Sequence, residues 1–449
     1  MRATSLLSPT VVSILTAALV GCGLNGGGST ASTQDAGTQG DAPRVYFDGA
    51  AYSGDSSGGS VVAPGGPDAG GPVIPAGTLT AGAWDDNLNF SLYARFLQET
   101  QGLVGLPQIP RADRLIVSVT DDGGSPLAGA TVTVTGQAGA LFTTTTGADG
   151  RVLVFPAWAG AAAGEQLTVS ASLGDASAAA TAVVGDTALT LVLAAASAPV
   201  EALDVALVLD STGSMADEMT YLKREFDSIV AWVDEAFPGV SQRWALVVYR
   251  DVGDAFEVSP FDFTADLEAY RNLLAQQQAA GGGDMPELTE VALTRAADLS
   301  WRGGATARVL FHVADAPHHQ GHEAAFVAAL RGLRTIGVRA YTVASSGTDK
   351  LAEFSMRTSA QVTGGRYLFL TDDSGVGTAG SGGGGHTEPT TIGISCYYVT
   401  ALNQAMVRML AVEITGTHVV PAETEILHAV GAPQAGQCAQ PDGSVAFAF

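Results

Sequence analysis

The clearest chemistry in the sequence sits at the end of one apolar run. Residues 204–209 read as a buried strand, and they lead straight into Asp210-Ser211-Thr212-Gly213-Ser214. A carboxylate and two hydroxyls therefore fall at i, i+2 and i+4 of a single tight turn. Hard oxygen donors on a rigid loop suit Mg²⁺, which demands near-octahedral oxygen and keeps part of its water shell. A second apolar run over 307–314 ends in Asp315. In an open α/β sheet such strand ends share one rim, where ligands bind. The bland use of Thr212 and Ser214 is to cap the helix that follows.

Other polar groups are expected near the same rim. Gly281-Gly282-Gly283-Asp284-Met285-Pro286-Glu287 adds two carboxylates. Asp284 and Glu287 either surround the cation, with Asp284 the better donor, or form a capping box with Pro286 in the first helical turn. Extra carboxylate donation would shift preference from Mg²⁺ toward Ca²⁺. Tyr249-Arg250-Asp251 follows another strand, so Arg250 or Asp251 either orients a ligand or a metal-bound water, or joins a solvated ion pair. His318, His319 and His322 are zinc-type residues. They lack the i, i+4 helical spacing of a metalloprotease and are expected as exposed or capping histidines. There is no nucleophile elbow, no His-Glu-x-x-His, no phosphate loop and no dinucleotide fingerprint. The glycines at 380–385 precede no Lys-Ser/Thr pair and read as a flexible insertion. The chain is expected not to be an enzyme.

The elements that must hold these residues follow from periodicity. Apolar strands alternate with helical segments from 200 to 416, which predicts an α/β fold with a doubly wound, mostly parallel sheet. Strands are expected over 204–209, 244–249, 256–262, 307–314, 338–344 and 366–370. Helices are expected over 218–237, 266–278, 287–299, 322–336, 350–362 and 399–414. This order, with Asp-x-Thr-x-Ser at 210–214 and Asp315 at a later strand end, resembles a von Willebrand factor type A domain. The 210–214 string resembles that family's metal-ion-dependent adhesion site, and 281–287 resembles a Gly-Gly-Gly-Asp-x-Pro-Glu variant of one subset. The resemblance implies that Asp210, Thr212, Ser214 and Asp315 hold Mg²⁺, with Ca²⁺ or Mn²⁺ as substitutes. It also implies one coordination position left open for an exposed carboxylate of a protein partner. The alternative is a non-catalytic envelope scaffold or assembly factor with a structural metal site.

Before this domain, period-two alternation over 113–197 predicts a small β-sandwich. Gly-Ser-Pro-Leu-Ala-Gly-Ala-Thr-Val at 124–132 and Thr-Thr-Gly-Ala-Asp-Gly-Arg at 145–151 resemble the carboxypeptidase-regulatory-like, transthyretin-like domains, which implies a spacer. Residues 76–112 read as a short helical connector, with a helix capped near Asn87 or Asn89. Residues 22–75 are rich in Gly, Ala, Ser and Asp and lack periodicity, so they read as a flexible stalk. Residues 417–449 form a C-terminal extension.

Arg2, the apolar stretch at 6–20 and Leu19-Val20-Gly21-Cys22 resemble a bacterial lipobox. The resemblance implies a signal peptide over 1–21, acyl chains such as palmitate on Cys22, and anchoring in the cell envelope. Gly23 after the cysteine implies the outer membrane or cell surface. Cys396 and Cys438 then remain as an even pair in an oxidising compartment and predict a disulfide, the alternative being two free buried thiols. With 21 Lys+Arg against 45 Asp+Glu and a formal charge of -24, nothing is available to neutralise phosphates, which argues against a nucleic-acid partner. No apolar run after residue 22 is long enough to cross a membrane.

Overall fold

The computed structural model describes residues 76–283, 285–374 and 389–449. The expected signal peptide, Cys22, the stalk, Asp284 and the 380–385 insertion lie outside them.

The described elements come in the following chain order. Strand β1 (Thr80–Trp84) and helix α1 (Phe90–Thr100) come first. Next are β2 (Leu115–Thr120), β3 (Thr131–Gly136), β4 (Gly139–Thr145), β5 (Arg151–Val154), the one-turn α2 (Pro156–Ala159), β6 (Gln166–Leu173), β7 (Ala176–Val183) and β8 (Ala188–Val192). The α/β part comprises β9 (Ala202–Asp210), α3 (Ala216–Ala236), β10 (Ser241–Tyr249), β11 (Val258–Thr264), α4 (Leu267–Ala275) and α5 (Thr289–Ala297). It continues with β12 (Thr306–Ala314), α6 (Glu323–Thr335), β13 (Arg339–Ala344), α7 (Lys350–Thr363), β14 (Tyr367–Thr371), β15 (Tyr397–Ala401) and α8 (Leu402–Thr415). Three short strands end the chain: β16 (His428–Val430), β17 (Gln437–Ala439) and β18 (Val445–Phe447).

The central sheet has the order β11-β10-β9-β12-β13-β14-β1-β15-β16. Strands β10, β9, β12, β13 and β14 run parallel, which demands helical crossovers and covers both faces. The sequence of β9 shows the result. Val205, Leu207 and Leu209 pack with Phe226 of α3, Tyr270 of α4 and Met406 of α8. The intervening Val208 packs with Leu293 of α5, Leu330 of α6 and Met356 of α7. Each such fully buried side chain contributes about 1.5–3 kcal/mol, so the strand that carries Asp210 is among the best-anchored elements.

The 76–112 segment is more than a helical connector, because β1 inserts antiparallel between β14 and β15. Three backbone N–H groups, of Gly77, Thr78 and Leu79, donate to the Glu225 carboxylate of α3 and fix its entry. Gly82 is required there, since a Cβ would lie 2.5 Å from the Phe369 ring and 2.8 Å from Tyr397. Helix α1 starts where expected, but the Asn89 side chain bonds the Phe447 backbone instead of capping. Asp85 accepts from the N–H groups of Asn87 and Leu88 in the turn before the helix. The single helix expected over 399–414 is divided: Tyr397-Tyr398-Val399-Thr400 favours a strand and forms β15, and α8 follows.

Sheets β5-β2-β8 and β4-β3-β6-β7 enclose a core of Val117, Val132, Val134, Leu167 and Val169. They pack against the end of the α/β sheet where its parallel strands begin. Arg308 near the start of β12 donates to Thr145, and Arg339 at the start of β13 pairs with Asp149 at 2.6 Å. A cavity of 530 Å³ lies at this junction, lined by residues such as Arg151, Arg334 and Glu413, away from the candidate metal residues. A disulfide joins Cys396 to Cys438, with Cα atoms 6.0 Å apart. Among the described residues, no helix is long and apolar enough to cross a membrane.

Candidate metal centre

Strand β9 ends at Asp210, whose side chain is fully buried. The chain then turns, and Thr212 donates to Asp210 Oδ1 through both its backbone N–H, at 2.9 Å, and its hydroxyl, at 2.7 Å. Thr212 Oγ1 also lies 3.2 Å from Ser214 Oγ. Neither hydroxyl caps the following helix: the N-cap of α3 is Met215, and no side-chain cap bond forms at Thr212 or Met215. The loop thus gathers three oxygen donors and leaves Asp210 Oδ2 buried with no hydrogen-bond partner.

Asp315, just past β12, is 5% exposed and lies within hydrogen-bond reach of Ser214, while its Oδ1 has no partner. Glu287 is 3% exposed with Oε2 unpartnered, and so is Glu218 Oε2 on the first turn of α3. The glycine loop is stitched to the first turn by Gly213 N–H to Gly281 O at 3.0 Å and Ala280 N–H to Ser211 O at 2.9 Å. Gly281 and Gly282 both have positive φ, and a Cβ on Gly281 would meet the Asp254 carboxylate at 2.4 Å. Asp254 in turn accepts from Gly282 N–H and Asp251 N–H, which holds its own pKa low.

Gathering carboxylates in a dry site raises their pKa values. Burial, then the charge of Asp315, pushes Asp210 up to about 7. Burial, then Asp210 and Asp251, pushes Glu287 up to about 9. Asp315 is raised as well, chiefly by burial and with Glu218 adding to it. Buried acceptors without donors, beside hydroxyls that no helix uses, are the donor set a hard divalent cation fits. Below them, Tyr249 Oη contacts His312 Nε2 at 2.9 Å, and burial holds His312 neutral down to about 4.

The structure brings Asp210, Thr212, Ser214, Asp315 and Glu287 to one rim. Glu287 does not take the third helical position of a capping box, because α5 starts at Thr289 with Leu288 as its N-cap and Glu287 stands ahead of the helix. Arg250 donates to Gln278 O and lies over the Phe256 ring at 4.4 Å. Asp251 does point inward, with Oδ1 3.0 Å from His319 Nε2. The histidines divide. His318 is buried, stacked on Phe326 at 4.6 Å and bonded to Ser355 at 3.1 Å. His319 and His322 instead converge with Glu290. Glu218 and Glu290 escaped the sequence reading because single acidic residues in amphipathic helices look like solvated faces, and only their burial distinguishes them.

The sequence profile of the von Willebrand factor A domain family matches residues 204–375. This segment is a von Willebrand factor A domain, with a mostly parallel central sheet and flanking helices. A curated relative, an ariadne-like RING finger protein of Acanthamoeba polyphaga mimivirus, is 27% identical over 117 residues, which is 26% of this chain; the chain spans 11% of that relative's length. Among solved structures, the conserved hypothetical protein BatB of Bacteroides thetaiotaomicron is 16% identical, with 37% of this chain and 88% of that one covered and a TM-score of 0.29. The pilus adhesin SpaC of Lactobacillus rhamnosus GG, in an open conformation, is 10% identical, with 45% and 29% covered and a TM-score of 0.30. An aerotolerance-related membrane protein of Bacteroides fragilis is 16% identical, with 50% and 92% covered and a TM-score of 0.26.

Proposed function

We propose that this chain is a non-catalytic, lipid-anchored envelope protein that captures a protein partner through a divalent cation at the Asp210 rim. The observation that carries the reading is the set of buried, unpartnered oxygens on Asp210, Asp315 and Glu287 beside the uncapped hydroxyls of Thr212 and Ser214. Asp210, Thr212, Ser214 and Asp315 would hold the ion, with Glu287 and Glu218 adding negative charge around it. A bound cation would supply a positive Lewis-acidic point to which an acidic side chain of a partner can bind. Ser214 is exposed while Asp210 and Thr212 are buried, so the approach is from the Ser214 side.

The β-sandwich supports the same reading by position. It occupies the opposite end of the sheet and leaves the rim uncovered, as suits a spacer. Anchoring through acylated Cys22, and an outer-membrane or surface location, are proposed from the lipobox-like sequence alone; mass spectrometry of the amino-terminal peptide tests them.

The central test is calorimetric titration of Mg²⁺, Mn²⁺ and Ca²⁺ into metal-stripped protein, beside Asp210→Ala. Saturable one-site binding that is lost in the variant is expected, and an Asp210→Ala protein that folds but no longer retains a partner on a Mg²⁺ column supports capture. Equal binding by both proteins would overturn the site. Loss of the fold in Asp210→Ala would favour the structural-metal scaffold instead.

A further inference from the structure

We propose that Glu290, His319 and His322 form a second cation site, beside the first, built for a borderline transition ion such as Zn²⁺. This goes beyond the proposed function and does not depend on it. The three side chains come from the start of α5 and the turn before α6, two helices that pack together. A backbone bond from His322 N–H to His319 O at 3.1 Å closes that turn and puts both imidazoles on one side, with ring centroids 5.6 Å apart.

One ligand atom from each residue lies within 4.8 Å of the others. Glu290 Oε1 is 2.6 Å from His322 Nδ1 and 3.9 Å from His319 Nδ1. A tetrahedral zinc ion with bonds of about 2.0–2.1 Å sets its ligand atoms about 3.3 Å apart, between these two spacings. The cluster also holds unspent polar capacity. Glu290 is 2% exposed, yet its Oε2 has no hydrogen-bond partner, and neither does the buried Nδ1 of His319. A mere ion pair would leave His319 Nδ1 unsatisfied inside the protein, whereas a metal held by Glu290 Oε1 would satisfy it.

The other nitrogen of His319 strengthens the assignment. Nε2 lies 3.0 Å from Asp251 Oδ1, near enough for an ion pair though not aligned as a hydrogen bond. A small ring rotation would complete the carboxylate–histidine–metal arrangement, in which the carboxylate fixes the tautomer and leaves Nδ1 free to bind. Asp251 is therefore the positioning residue of this site. Through Asp254, which accepts from the N–H groups of both Asp251 and Gly282, it is tied to the glycine loop of the first site. Two imidazoles and one carboxylate favour Zn²⁺ over Mg²⁺ or Ca²⁺. Three protein ligands leave one tetrahedral position for water or an incoming group, and His322, 52% exposed, opens that side to solvent.

The test titrates Zn²⁺ into the metal-stripped full chain by calorimetry and follows Co²⁺ substitution by visible absorption. His322→Ala, whose side chain is exposed, is expected to abolish tight Zn²⁺ binding and the tetrahedral Co²⁺ bands while leaving Mg²⁺ affinity intact. Asp251→Asn is expected to weaken Zn²⁺ roughly 10- to 100-fold. Asp210→Ala should keep the Zn²⁺ site, so failure of the first site and failure of the second are read separately. Zn²⁺ binding that survives both His322→Ala and Glu290→Gln, or that vanishes in Asp210→Ala alone, would overturn the proposal.

Discussion

Thr212 donates twice to Asp210 Oδ1, by N–H and by hydroxyl, and so fixes a fully buried carboxylate whose Oδ2 has no partner. The threonine hydroxyl orients Asp210 and stands 3.2 Å from Ser214 Oγ, and in the proposed site it would also donate to the cation. Thr212→Val keeps the shape and deletes the hydroxyl. It is expected to weaken Mg²⁺ at least about tenfold, on the scale of a lost charge-assisted hydrogen bond. Thr212→Ser should stay close to the parent, and isothermal titration of the three proteins checks both statements.

The pH dependence follows from the same carboxylate. In the metal-free protein burial, then Asp315, holds Asp210 at about 7, above its ordinary 3.8. A carboxyl raised by folding contributes stability that is fully present below the unfolded value and lost as pH rises through the folded one. The metal-free protein therefore loses stability from this group between about pH 4 and about pH 7. A cation requires the carboxylate and reverses that loss. The rise in Tm produced by Mg²⁺ should accordingly be small near about pH 5 and large near about pH 8, and thermal unfolding with and without the ion measures it. A rise that does not change with pH would contradict the role given to Asp210.

Much of this site was legible in the sequence because its core is local. Asp210, Thr212 and Ser214 lie in one turn, and an apolar run delivers them to a strand end whose direction is fixed by parallel topology. What escaped depends on contacts far apart in the chain. Thr80-Ala81-Gly82-Ala83-Trp84 has no β-branched run, and its place between β14 and β15 is set by the space beside Phe369 and by Glu225, which no local pattern reveals. His319 and His322 lack zincin spacing because they sit in the turn before α6, and Glu290, which converges with them, comes from α5. Glu287 lies ahead of α5 because the helix begins only at Thr289, which the capping pattern at 284–287 does not reveal.

Glu287 offers a separate check on the charge around the cation. Burial and its acidic neighbours raise it to about 9, so it is protonated in the metal-free protein at neutral pH. Glu287→Gln mimics that neutral form and should leave metal-free stability at neutral pH close to that of the parent. If Glu287 deprotonates when the ion binds, Mg²⁺ uptake releases a proton that the variant does not release. Titrations in two buffers of different ionisation enthalpy count that proton, and an unchanged count in Glu287→Gln would remove Glu287 from the site.

The disulfide should act on stability alone. Cys396 directly precedes β15, which runs in the direction of β14 because both pair antiparallel with β1. It therefore lies at the end of the sheet where the parallel strands begin, whereas Asp210 and Asp315 lie where β9 and β12 finish. Its bond to Cys438 ties β15 to the β17–β18 hairpin across a sequence separation of 42 residues. Both cysteines are buried in the cluster that contains Trp84 and Phe369. Closing a loop of that length contributes about 2–4 kcal/mol, and the effect should concentrate in the strands after residue 428. Cys396→Ala with Cys438→Ala is expected to lower the urea midpoint and to expose the amides of β16, β17 and β18 to hydrogen exchange. Mg²⁺ affinity should stay within about twofold, because the first turn is anchored by β9 and α3 and not by the hairpin. A parallel fall in metal affinity would mean that the two ends of the sheet are coupled, and the rim could not then be treated as a site held by its own strand ends.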